Sequence, residues 1–300
     1  MSTSTASPIE IRQLSRRFDS KLALDNVSLD VPTGSVFGLV GENGAGKTTL
    51  LKHVLGLLKA QSGSVQVFDL YPVSEPVEVL KRIGFVSENR DLPLWMRIRE
   101  LLRYLQPFYP SWDAAYAQEL LSRFELDPEA RIKNLSRGQT AKAGLLVALA
   151  HRPELLVLDE PSSGLDPVVR RDILEAIIRT VSQDGRTVLF SSHLLDEVER
   201  VSDQIAFLHE GKLVLCGPLD EIKQRHHRLM LRFERPPAGP PALRGALSVS
   251  GSGVEWTVIC DGARNELVQS AVQLGARILS QQTPSLDEIF VARTKNKHAV

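Results

Sequence analysis

Val36-Phe37-Gly38-Leu39-Val40 runs directly into Gly41-Glu42-Asn43-Gly44-Ala45-Gly46-Lys47-Thr48-Thr49, and the helical spacing Leu50, Leu51, Val54, Leu55 follows at once. An apolar strand, a glycine loop and a helix in that order decide the fold. In the pattern G-x-x-x-x-G-K-[ST] each part has a physical task. Gly41, Gly44 and Gly46 let the backbone turn sharply and bring its N–H groups against phosphate oxygens. Lys47 reaches the β- and γ-phosphates as a point charge, the Thr48 hydroxyl is placed to ligate Mg²⁺, and the helix N-terminus adds the positive end of its dipole. The stretch implies a nucleoside triphosphate site. A glycine-rich turn with a merely solvated lysine would fit the pattern alone, but the flanking strand and helix weigh against it.

Two more apolar runs end in polar groups of the right chemistry. Leu155 to Glu160, LLVLDE, is continuous and apolar up to two carboxylates, as expected of a buried parallel strand whose carboxyl end enters a site. Asp159 is suited to hold Mg²⁺, usually through water. Glu160, one residue on and pointing the other way along the strand, is suited to take a proton from an attacking water. Thr187 to Ser191 repeats the pattern and ends at Ser192-His193, where an imidazole can donate to a phosphate oxygen. Ser163-Gly164-Leu165-Asp166 reads as a turn, and the strand candidate Ile83 to Ser87 ends at Glu88, a carboxylate facing either Mg²⁺ or water, or else only solvent.

Outward from this core, Ile9 to Ile11 and Ala23 to Val31 read as an antiparallel flap, with Phe18 in the polar stretch between them. Phe18 either stacks on a base or packs on its own sheet; spacing does not separate the two. Leu94 to Arg131 turns helical, an insertion whose aromatics Trp95, Phe108, Tyr109 and Trp112 form either a private core, the favoured reading, or a docking surface. Leu135-Ser136-Arg137-Gly138-Gln139 puts Ser136 at the N-cap of a long apolar helix and allows close backbone approach at Gly138. Past Gln224 the composition shifts: a proline-rich stretch, Arg232 to Gly245, is followed by strand and helix patterns of a small α+β unit with no catalytic constellation.

The 300 residues, 43% hydrophobic, suffice for one large and one small domain. The 36 basic and 36 acidic residues cancel, leaving no global field toward nucleic acid or anionic lipid. Cys216 and Cys260 fit no metal or redox spacing and read as reduced core filler. No apolar run approaches the roughly 20 residues of a membrane span, so any span is expected from another polypeptide.

With these pieces assembled, residues from about Ile9 to Asp220 resemble the ATP-binding cassette (ABC) ATPases, specifically the stand-alone nucleotide-binding subunit of an ABC transporter. GENGAGKT is similar to the family's Walker A, LLVLDE to its Walker B with the catalytic glutamate, LSRGQ to its signature motif, SGLD to its D-loop and Ser192-His193 to its switch histidine. The resemblance implies an α/β fold, a P-loop NTPase core with an antiparallel β flap and a helical subdomain at about 89–150, within an ATPase domain at 9–224. A disordered tail at 1–8 and a small C-terminal α+β domain at 225–300 flank it. ATP is then bound by Phe18, at an adenine-stacking position usually held by tyrosine, and by Gly41, Asn43, Gly44, Ala45, Gly46, Lys47, Thr48 and Thr49. Ser136, Gly138, Gln139 and Asp166 complete the pocket from a second, head-to-tail subunit. Glu160, His193 and Lys47 carry catalysis, and Thr48, Asp159 and Glu88 the Mg²⁺. The implied partners are that second nucleotide-binding subunit and a membrane permease, with the chain peripheral on the cytoplasmic face and no nucleic acid expected. A soluble ABC ATPase of translation or DNA repair is the alternative, and a nucleotide-gated regulator a third. Two positions depart from the pattern: Glu88 replaces the Q-loop glutamine and Arg137 the first glycine of LSGGQ. The tail Thr283 to Phe290, TPSLDEIF, resembles that of ATPases serving exporter-type permeases.

Overall fold

The computed structural model describes residues 7–182 and 185–295, which fall into two compact units meeting at Cys216 and Gly217. Most of the polar tail expected at 1–8 lies outside the described residues. Pro8, however, is buried and its carbonyl accepts from Phe68 N at 2.8 Å, which ties it to the fold.

The first unit runs β1 (Ile9–Phe18), β2 (Lys21–Val31), β3 (Val36–Val40), α1 (Lys47–Val54), β4 (Ser62–Val67), α2 (Pro76–Leu80), β5 (Ile83–Val86), α3 (Ile98–Leu105), α4 (Ala114–Arg123) and α5 (Arg137–Leu149). It continues with β6 (Leu155–Asp159), α6 (Pro167–Ser182), β7 (Thr187–Ser192), α7 (Leu195–Val201), β8 (Gln204–His209) and β9 (Lys212–Pro218). Its central sheet has the order β5-β6-β7-β3-β8-β9. Every residue of β3, β6 and β7 is buried, because a parallel sheet covered on both faces leaves no strand face for water. The parallel register sets Val40 beside Ser192 and Asp159 beside Ser191, so the three strand ends finish level with one another, two of them polar.

An antiparallel sheet, β2-β1-β4, forms the flap. Its inward residues Ile9, Ile11, Leu24 and Val27 share one core with Phe37 and Leu39 of β3 and with Leu50, Leu51 and Val54 of α1. The flap thus packs down on the helix that follows the glycine loop. β1 extends through Phe18, which pairs with Lys21 across a tight turn, so the polar stretch around Phe18 is strand and turn and not a loop. Of the insertion's four aromatics, Tyr109 and Trp112 are half-buried, Tyr109 stacked on the buried His151 at 4.0 Å, but Trp95 and Phe108 belong to no private core. Trp95 is 71% and Phe108 61% exposed, while the buried face is Ile98, Leu101, Tyr116, Leu120, Leu121 and Phe124. Aliphatic side chains at helical spacing, with Tyr116 and Phe124, fill that core.

The second unit continues with α8 (Leu219–Arg225), β10 (His226–Phe233), β11 (Ala246–Ser252), β12 (Glu255–Asp261), α9 (Arg264–Gln273), β13 (Ala276–Gln282) and α10 (Leu286–Lys295). Its antiparallel sheet, β11-β12-β10-β13, buries Leu229, Leu231 and Phe233 at alternate positions of β10, against Val258, Cys260, Leu267 and Ala271. The break falls before α8, ahead of the position near Gln224 where composition shifts, because α8 packs on β10. Within the proline-rich stretch Leu243 is buried in this core. Cys260 is core filler as expected, whereas Cys216 is exposed. The tail motif forms α10, whose start is a capping box: Ser285 N donates to Glu288 Oε2 at 3.0 Å and Glu288 N to Ser285 Oγ at 3.2 Å. Among the described residues no helix is long and apolar enough to cross a membrane.

Candidate active site

The glycine loop curls over the carboxyl end of β3. Gly46 has φ 110°, and a Cβ there would stand 2.4 Å from Ala23 O; one at Gly41 would meet Leu208 O at 2.3 Å. Packing therefore demands glycine at both positions, independently of any phosphate. Lys47 opens α1 and folds back over the loop, its Nζ donating to Gly41 O at 2.6 Å and Glu42 O at 3.2 Å. The same ammonium pairs with Glu160 Oε1 at 3.0 Å, the two side chains being only 6% and 7% exposed. The other oxygen of Glu160, Oε2, accepts from His193 Nδ1 at 2.7 Å. Since a carboxylate only accepts, Nδ1 carries the proton, and donation from Nε2 as well would require the imidazolium.

Glu160 does not continue β6. The strand ends at Asp159, and Glu160 takes a left-handed backbone, φ 49°, so a turn and not strand alternation separates the two acids. Ser191 on β7 serves both: it accepts from Glu160 N at 2.9 Å and donates to Asp159 Oδ1 at 2.6 Å. The following turn is held from α7 and α6, where buried Glu197 accepts from Ser162 Oγ and pairs with Arg170 at 3.0 Å. Burial raises the Glu197 carboxyl above its ordinary value, while Ser162 and Arg170 oppose the rise.

Around Lys47 opens a cleft of about 390 Å³, lined by Asn43, Gly44, Gly46, Thr48 and Thr49 of the loop, with Phe18, Lys21, Ala23, Glu42, Glu88 and Glu160. Phe18 is 41% exposed, with the Arg16 guanidinium 4.7 Å from its ring centroid. Gly41 and Ala45 are buried behind the loop, and Asp159 lies beneath it, 3% exposed. Thr48, Glu88 and Glu160 line the cleft with oxygen donors, the kind that suits a hard cation such as Mg²⁺, and Asp159 is buried nearby; among the described residues no three His, Cys, Asp or Glu side chains stand together as a metal site of their own. Lys21 and Glu42 were not singled out from sequence. Lys21 is flagged only by facing Phe18 across the flap turn, and Ser191 only by its place beside Ser192-His193.

The remaining candidates do not line this cleft. Ser136 and Gln139 form a reciprocal capping box at the start of α5, with N–H···O distances of 3.1 and 2.9 Å. Gly138 is buried where a Cβ would come within 2.8 Å of Val169 Cγ2, so its smallness serves packing of α5 on α6. Asp166 caps α6, accepting from Val168 N at 3.0 Å and Val169 N at 3.1 Å.

A glycine loop between strand and helix, a buried lysine beneath it and an acid at the end of β6, two strands away in the same sheet, define a P-loop NTPase. The ABC transporter family profile matches residues 24–163. The ABC transporter ATP-binding protein YtrB of Bacillus subtilis is 30% identical over 289 residues, 96% of this chain and 99% of that one. The bacitracin transport ATP-binding protein BcrA of Bacillus licheniformis is 32% identical over 224 residues, covering 74% and 73%. A solved ATP-binding subunit of an ABC transporter superposes with a TM-score of 0.67 at 28% identity, covering 72% of this chain and 92% of that one. The chain belongs to the ABC transporter family, as an ATP-binding subunit. Translation or repair ATPases do not figure among these relatives.

Proposed function

We propose that the chain hydrolyses Mg²⁺–ATP and thereby drives a separate membrane permease, from the cytoplasmic face and in the export direction. The observation that carries this is Glu160, held at the cleft wall between Lys47 at 3.0 Å and His193 at 2.7 Å. Phe18 stacks on the adenine. The loop amides of residues 43–49 and Lys47 take up the phosphate charge, and Lys47 exchanges Gly41 O, Glu42 O and Glu160 for phosphate oxygens. Glu160, released from the ammonium and still oriented by His193, accepts the proton of the attacking water. Thr48 and Asp159, with Glu88 at the rim, would hold Mg²⁺, which neutralises charge on the β- and γ-oxygens.

Within one chain the capping residues Ser136, Gln139 and Asp166 are turned to their own helices and lie outside the cleft. A second subunit supplying them in trans completes the pocket. A dimeric ATP-binding cassette bound to ADP and Pi shares this fold, with a TM-score of 0.63 at 23% identity, covering 70% of this chain and 98% of that one. Export is supported by the TPSLDEIF tail, which resembles that of ATPases serving exporter-type permeases.

Steady-state hydrolysis by the full chain and by Glu160→Gln tests the chemistry. The variant should lose roughly 10²-fold or more in kcat while still binding ATP. Near-normal turnover would remove Glu160 as the base. Co-purification with a multi-span protein in detergent tests the permease.

A further inference from the structure

Arg90 lies in the loop between β5 and α3, two residues beyond Glu88, and its backbone is left-handed, φ 53°. A non-glycine residue holds that conformation only where its surroundings compel it. Its Nη2 donates to two main-chain carbonyls, Ser163 O at 2.7 Å and Pro161 O at 3.2 Å, and its Nε is buried with no acceptor. Both carbonyls belong to the turn that starts at Glu160, itself left-handed. The same turn is fastened on other sides by Ser191 Oγ on Glu160 N, by Glu197 on Ser162 Oγ, and by Ser163 N donating to Glu160 O at 3.2 Å. Burial pulls the Arg90 guanidinium below its ordinary value, exposed Arg137 at the head of α5 acts in the same sense, and Glu88 opposes both. Glu88, one of the two positions that depart from the family pattern, thus stands two residues before a side chain that grips the turn bearing the acid.

We propose that Arg90 is a positioning residue for hydrolysis: it ties the segment that carries Glu88 into the nucleotide cleft to the turn that carries Glu160. The placement of Glu88 then sets the placement of the acid. A planar guanidinium spans two carbonyls with one nitrogen and keeps its plane, whereas an ammonium on a flexible stem satisfies them less rigidly. Loss of Arg90 frees two carbonyls and loosens a strained backbone without touching nucleotide, so the effect falls on turnover and not on binding. The inference rests on the hydrolytic reading above.

The test uses the full chain with Mg²⁺–ATP. Arg90→Ala should lower kcat about tenfold or more with KM for ATP within about twofold, and Arg90→Lys should recover part of the loss. Amide hydrogen exchange should quicken about tenfold over residues 161–166 in Arg90→Ala and stay unchanged in β6. Glu88→Gln should change kcat less in the Arg90→Ala background than in wild type. If wild type turns over and Arg90→Ala keeps kcat within about twofold, or exchange over 161–166 is unaltered, the inference is overturned while the ATPase reading stands. Loss of KM and kcat together with global destabilisation, unrelieved by Arg90→Lys, would also overturn it. A wild-type chain with no Mg²⁺-dependent hydrolysis would overturn the ATPase reading instead.

Discussion

Lys47→Met removes the cation from a pair whose side chains are 6% and 7% exposed and whose charged atoms stand 3.0 Å apart. Deleting one partner of a buried pair leaves the other charge uncompensated, at a cost of about 3–5 kcal/mol. Glu160 keeps His193 at 2.7 Å, which places the expected loss at the lower end, about 3 kcal/mol. Glu160→Gln costs less, about 1 kcal/mol, because Lys47 retains the carbonyls of Gly41 and Glu42 and no anion is stranded. With both charges gone the stranded carboxylate disappears too, so the double variant should lose about 1–2 kcal/mol and the cycle should show coupling of about 2 kcal/mol. Nucleotide-free unfolding, by denaturant and by calorimetry, measures all three. In the proposed mechanism nucleotide opens the same pair, so Glu160→Gln should also bind ATP about three- to tenfold more tightly than wild type, read by titration. An additive cycle, with Lys47→Met within about 0.5 kcal/mol of wild type, would refute the idea that the resting acid is held by the lysine.

His151, 1% exposed and stacked on Tyr109 at 4.0 Å, donates Nε2–H to Ile83 O, and burial lowers its pKa from 6.5 to about 4. The unfolded chain then binds more protons between those values, so its stabilising contribution is complete above 6.5 and falls by about 3 kcal/mol as pH drops to 4; His151→Gln should flatten the stability–pH curve there by that amount. Phe18→Ala should weaken ATP binding by about 1–3 kcal/mol and Phe18→Tyr hardly at all, with affinity for inorganic tripolyphosphate unchanged; equal losses for both ligands would remove the stacking role. Ser136→Ala and Lys47→Ala chains, each inactive alone, should regain about one competent site per mixed dimer, and no recovery in any mixture would argue against sites completed in trans.

What was legible in the sequence was local. The loop from Gly41 to Thr49, the buried strands at 155–159 and 187–192 and the cap at Ser136 each declare themselves within a dozen residues, because glycine requirement, hydrophobic run and capping chemistry are short-range. The left-handed turn at Glu160 was not, since reading alternate faces assumes that the strand continues. Nor were the contacts that hold the acids: Arg90 is 71 and 73 residues from its carbonyls, Ser162 is 35 from Glu197, and Ser191 is 32 from Asp159. Trp95 and Phe108 misled for a different reason. Their size argues for burial, but the hydrophobic stripe of α3 and α4 was already filled by Ile98, Leu101, Tyr116, Leu120 and Leu121.

Those long-range contacts share one object. Glu160 is reached from the glycine loop through Lys47, from β7 through Ser191, from the β7–α7 link through His193, and its turn from the β5–α3 loop through Arg90. Left-handed backbones at Glu160 and Arg90 cost free energy, and a chain under no such constraint would relax them. They persist because each is fixed from several segments at once. An acid held this way responds to each of these segments: moving Lys47, or shifting the loop that carries Glu88 and Arg90, alters the balance of supports on the same carboxylate. With Glu160 as the proposed base, its place where the supports converge makes turnover sensitive to the arrangement of the whole cleft, and that sensitivity is the property a subunit needs if hydrolysis is to be tied to events elsewhere.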